Sequence, residues 1–163
     1  MKKISMLILV VMLVWMNVCA DTLPDKGIVM RIGSNTAVVD GKREVLDVAP
    51  EINNDRTFVP IRFCSQAMAA DVMYVEETQT VVIKKGNKTV ELIIGTCAYK
   101  VNGDLFEADT ASYIKDGRTM VPVRIVAEAL DTQVKWYDET EVITIGFESE
   151  QTAVKEYLKD LFA

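Results

Sequence analysis

Displacing the sequence by 62 residues lays Arg56-Thr57-Phe58-Val59-Pro60-Ile61-Arg62 over Arg118-Thr119-Met120-Val121-Pro122-Val123-Arg124, and the register then holds without a gap. Fifteen identities connect positions 38–83 with 100–145. Val39 falls on Val101, Gly41 on Gly103, Asp47 on Asp109, Val72 on Val134, Glu77-Thr78 on Glu139-Thr140 and Ile83 on Ile145, while Tyr74 meets Trp136. A period of this length marks a duplicated structural unit, so whatever one copy folds into, the other must repeat beside it.

Each unit reads as strands with one helix. Thr57-Phe58-Val59 and Thr119-Met120-Val121 are β-prone runs, and the residue before a proline is pushed toward extended backbone. The proline then opens a helix, where its missing N–H costs nothing. Ile61, Cys64, Ala67 and Met68 recur at helical spacing, as do Val123, Val126, Ala129 and Leu130. A hairpin follows in both copies, turning through Glu76-Glu77-Thr78-Gln79 and through Asp138 to Glu141. Asp40-Gly41 and Asn102-Gly103 are type I′ turn signals, because both residue pairs tolerate the positive φ that such a turn demands. Gly86-Asn87 offers a further turn before a strand over 90–94, and Ile28 to Ile32 alternates as another strand. The expected class is therefore α+β: a mostly antiparallel sheet with two short repeat-equivalent helices.

The two ends differ from the repeats. Lys2-Lys3 precedes an apolar run from Met6 to Met16, and Val18 and Ala20 fit the small-residue rule for cleavage, so residues 1–20 read as a secretory signal peptide. An uncleaved anchor and acylation at Cys19 are the alternatives. The run is short of the roughly 20 residues of a membrane span, and no stable span is expected in the mature chain. The mature domain would occupy 21–147, followed by a helix over 148–163. There Ser149 offers an N-cap, and Val154, Tyr157, Leu158, Leu161 and Phe162 form one apolar stripe. That stripe would dock on its own domain or on a partner, a second copy included. Export also permits a Cys64–Cys97 disulfide, closing a loop of about 33 residues worth roughly 3–4 kcal/mol; two buried thiols are the alternative.

Composition narrows the chemistry. The chain has no histidine, which removes Ser-His-Asp and Cys-His catalysis and histidine-ligated copper, zinc or haem. With 18 basic against 24 acidic residues and a net charge of −6, it lacks the basic surface that nucleic acid requires. No cofactor, metal ligand set or catalytic residue stands out. Ser112-x-x-Lys115 matches a penicillin-recognising motif, but Asp116-Gly117 follows at once where a helix would be needed. Asn87-Lys88-Thr89 fits a glycosylation sequon and reads better as a turn, and the acidic turn Asp138, Glu139, Glu141 lacks a calcium-loop pattern.

What remains are binding candidates. Arg56, Arg62, Arg118 and Arg124 could fork onto carboxylates or phosphates. Their recurrence favours a fold role instead, with a carboxylate, such as the likewise repeated Glu77 or Glu139, or a turn carbonyl as partner. Strand alternation sets Tyr74 and Trp136 on the core face with Val72 and Val134, leaving Tyr137 as the exposed aromatic for a sugar platform.

The repeated Arg-Thr-x-Val-Pro-x-Arg signature, the Ala-containing helix, the aromatic-bearing strand, the Glu-Thr turn and the Val-Asn-Gly hairpin resemble the copper amine oxidase N-terminal domain family, also called stalk domains. The resemblance covers about residues 38–145. It implies an antiparallel sheet curled against helices, in exported or surface proteins of bacteria, often as an accessory module. Copper amine oxidases hold copper with three histidines and carry a topaquinone, all in a separate catalytic domain, so neither copper binding nor amine oxidation carries over. The function expected is an exported, non-catalytic binding or spacer module that is secreted or held at the cell envelope, with an unidentified protein or a cell-wall glycan as partner. The alternative is a small cell-wall hydrolase or modulator working through carboxylates.

Overall fold

The computed structural model describes residues 27–147, apart from the side chains of Gln66 and Ala67. The signal peptide expected over 1–20 and the C-terminal helix expected over 148–163, with any dimer formed through it, lie outside the described residues. Along the chain run β1 (Ile28–Arg31), β2 (Thr36–Val39), β3 (Lys42–Val45), β4 (Glu51–Asn53), β5 (Arg56–Pro60), α1 (Ile61–Ala67), β6 (Asp71–Val75) and β7 (Thr80–Lys85). There follow β8 (Lys88–Ile93), β9 (Ala98–Val101), β10 (Asp104–Glu107), β11 (Tyr113–Lys115), β12 (Arg118–Pro122), α2 (Val123–Ala129), β13 (Val134–Tyr137) and β14 (Val142–Ile145).

These strands make three antiparallel sheets. Sheet one has the order β13-β14-β1-β2-β3, sheet two β10-β9-β8-β7-β6, and a central four-stranded sheet β11-β12-β5-β4. Every strand pairing has a counterpart 62 residues away: Ile28↔Ile145 matches Val90↔Ile83, and Glu51↔Phe58 matches Tyr113↔Met120. In the central sheet β5 meets β12 with Val59 opposite Val121 and Met120 opposite Pro60. Antiparallel strands whose facing residues are each other's counterparts are related by a local two-fold rotation through that pair. Because β13-β14 complete the sheet begun by β1-β2-β3, and β6-β7 complete that of β8-β9-β10, neither half forms its sheets alone.

The expected α+β class is corrected by this architecture. Fourteen strands stand against two helices of seven residues each among the described residues, so the fold is mostly antiparallel β. The helices do follow Pro60 and Pro122, but their apolar stripe lasts only two turns. Each ends where the chain takes a left-handed conformation, at Ala69 (φ 52°) and Asp131 (φ 50°), which stops helix propagation. The hairpin turns are where the residues forecast them: Asp40-Gly41 has φ 48° and 75°, and Asn102-Gly103 has φ 51° and 92°. Asn54-Asp55 and Asp116-Gly117 make the same left-handed pairs between β4 and β5 and between β11 and β12.

One core unites the three sheets and both helices. Ile28, Met30, Val59, Ile61, Cys64, Val81, Ile83, Val121, Val123, Val126, Ile143 and Ile145 are all buried in it. Phe58 and Met120 fill a smaller cluster with Val48, the Phe58 ring lying 4.9 Å from that of Tyr113. Cys64 and Cys97 stand as free thiols in this structure. Cys64 sits fully enclosed in the main core, where burial pushes its thiol well above the usual range. Cys97 opens the β9 strand region and is only half-buried.

Candidate functional site

The fold brings all four candidate arginines together in pairs, one pair at each of two grooves. Groove one, about 220 Å³, is lined by Arg62 from the start of α1, Arg118 from β12, Asp47 and Tyr74. Groove two, about 740 Å³, is lined by Arg124, Arg56, Asp109 and Trp136, each 62 residues away from its counterpart in groove one. The shared framework goes further, to Pro60 and Pro122, Val72 and Val134, and Thr119 and Thr57. Each groove therefore uses residues from both halves, because the tip of the β4-β5 or β11-β12 hairpin reaches over to the helix of the opposite half.

The arginines split into two kinds. Arg118 donates from Nε to Asp47 at 2.7 Å and also from Nη2, while Arg56 pairs with Asp109 through Nη2. These are the carboxylate partners that recurrence called for, but they are Asp47 and Asp109 rather than Glu77 and Glu139. The signal was present in the sequence, since Asp47 and Asp109 are themselves matched identities. Arg62 and Arg124 are exposed, and neither side chain has an ion-pair or hydrogen-bond partner among the described residues.

The aromatic candidates come out reversed. Tyr137 is only 3% exposed and packs with Val29, Val38, Val142 and Phe147, so it is no surface platform. Tyr74 is 39% exposed at groove one, and Trp136 is half-buried at groove two with its Nε1–H donated to Asp138. The alternation was read correctly as to which residues share a face, since Trp136 lies opposite Ile143 and Tyr137 opposite Val142. What it missed is that sheet one buries both of its faces.

A separate polar cluster joins the central sheet. Tyr113 Oη donates to Glu51 Oε1 at 2.5 Å, and Lys115 pairs with Glu51 Oε2. Lys115, then Tyr113, hold the Glu51 carboxyl below its ordinary value of 4.5, and Tyr113 is pushed up to about 12 by burial and by that carboxylate. The Ser112 and Lys115 motif is thereby accounted for: Ser112 is buried at 3% exposure, and Lys115 is engaged with Glu51.

With this geometry in hand, comparison with known protein families returns the copper amine oxidase N-terminal domain twice, over residues 17–83 and 46–145. The chain belongs to that family. The two matches overlap over residues 46–83 and together span residues 17–145, most of the chain. A search of curated proteins finds no match. The chain has no histidine, and among the described residues no three Cys, Asp or Glu side chains converge as a metal site. The family is that of an N-terminal module, which is non-catalytic in general.

Proposed function

We propose that this protein is an exported, non-catalytic module that binds or spaces at the bacterial cell surface, and that its two grooves are where it binds. The observation that carries this reading is that the grooves keep the same framework while Arg62 and Arg124 recur without any partner among the described residues. A residue kept for the fold has a partner in the fold, as Arg56 and Arg118 do. A matched pair without one is available to a ligand.

The test is retention of the purified full-length protein on envelope fractions and secreted material over a range of salt concentrations. Retention that falls in an Arg62→Ala/Arg124→Ala double variant with unchanged melting temperature is the expected result. Failure to retain any component at any ionic strength removes the binding reading.

A further inference from the structure

Resting on that reading, we infer that groove one is an anion subsite that takes a carboxylate- or phosphate-bearing saccharide polymer, with Arg62 contacting the charge and Tyr74 the sugar face. The two grooves share their framework but differ in electrostatics. Among the described residues, the charged ones that line groove one are Arg62, Arg118 and Asp47, and the Arg118–Asp47 pair cancels, leaving the Arg62 guanidinium in positive excess. In groove two Val45 is replaced by Glu107 and Gly117 by Asp55, and Glu128 and Asp138 join the lining. Its carboxylates thus outnumber its two arginines by three, and an anion is repelled there. On a chain whose net charge is −6, groove one stands out as a locally cationic cleft.

The ligand class follows from the two exposed groups. A guanidinium with open donors recognises the planar fork of a carboxylate or the oxygens of a phosphate in a two-point contact. Tyr74, 39% exposed beside it, presents an apolar ring with a polar tip, which suits the mixed apolar and hydroxylated faces of a sugar. A free inorganic anion would use the arginine alone; a polymer of acidic or phosphorylated sugars would use both.

Calorimetric titration of the full-length protein tests this with four probes: oligogalacturonate, its neutral methyl ester, a phosphorylated mannan and polyglutamate. Saturable, salt-sensitive binding of oligogalacturonate or the phosphorylated mannan, with the tighter of the two naming the anion source, is the expected result. The methyl ester and polyglutamate should bind at least about tenfold more weakly. Arg62→Gln should weaken binding about tenfold or more, Tyr74→Ala less, and Arg124→Gln less than Arg62→Gln, each with unchanged melting temperature. Lys84→Gln removes the same charge from an exposed position outside both grooves and should change nothing. Equal affinity for the methyl ester, equal affinity for polyglutamate, or an Arg62→Gln variant that binds like the parent overturns the subsite. If envelope retention persists in Arg62→Gln, the anion subsite falls while the binding module stands; if retention is never seen, both fall.

Discussion

Sheets one and two are built from matching strands with matching registers, yet only one of them is apolar on both faces. Facing the main core, Ile28, Met30, Ile143 and Ile145 of sheet one correspond to Val90, Leu92, Val81 and Ile83 of sheet two, and all eight are buried. On the opposite face sheet one has Val29, Val38 and Val142, fully or almost fully buried with Tyr137 and Phe147. The same positions in sheet two are Glu91, Lys100 and Thr80, and Glu91 lies 3.9 Å from Lys100 across β8 and β9. The difference also reaches Phe147, which packs into that second cluster, while its counterpart Lys85 bonds the Leu130 carbonyl and Thr132 Oγ1 after α2. The two sheets thus share backbone register and inner core, and the residues that differ decide which outer surface is kept from water.

Exchanging residues between equivalent positions breaks the comparison most directly. Val29→Glu, which installs the sheet-two residue in sheet one, buries an unpaired carboxylate and should cost more than about 4 kcal/mol in urea unfolding. A loss below about 1 kcal/mol would mean that the outer face of sheet one is wet. The shared centre should come next. Phe58→Ala opens a cavity between the central sheet and Tyr113 and should cost about 3–5 kcal/mol, with Met120→Ala at about 2–5 kcal/mol on the other side of the two-fold.

The Glu51 cluster gives a smaller effect with a definite sign. A carboxyl held below 4.5 in the folded state adds stability that is present above the unfolded value and lost as pH falls through the lower folded one. Glu51→Gln should therefore be less stable at neutral pH and should lose less stability on acidification than the parent, as read by melting temperature against pH. If the two acid limbs are parallel, Lys115 does not hold the carboxylate. Smaller again, Arg118→Ala should cost no more than about 1 kcal/mol, since both partners of its ion pair are well exposed. That cost should shrink in high salt. Least of all, Glu91→Val, the reverse of the first exchange, should stay within about 0.5 kcal/mol.

Much of this was legible from residues. The positive φ values at Asp40-Gly41 and Asn102-Gly103 follow from residue type alone, as does the order strand, proline, helix, although Pro60 and Pro122 close their strands rather than open the helices. The helical content was overweighted, because a stripe such as Ile61, Cys64, Ala67, Met68 shows that a helix exists without showing that left-handed Ala69 cuts it short. The short strands β4 and β11 carry too few residues for a periodicity, and they emerged only through pairing with β5 and β12. At the grooves, the arginines were found from their recurrence, but their division into paired and unpaired required coordinates, since Asp47 and Asp109 are far from them in sequence and come from the opposite half.

Residue types and spacings suffice for the 62-residue register between the halves, the turn positions, the local run of strand to proline to helix, the family and the lack of histidine. All of these depend on single residues or on distances along one chain. It takes the packed fold to show that the halves exchange strands to complete each other's sheets, that Tyr137 is enclosed and Tyr74 exposed, and that the two grooves differ in charge. Those outcomes depend on which surfaces meet, and a residue's partner across a two-fold is set by the packing of both halves rather than by its neighbours in sequence.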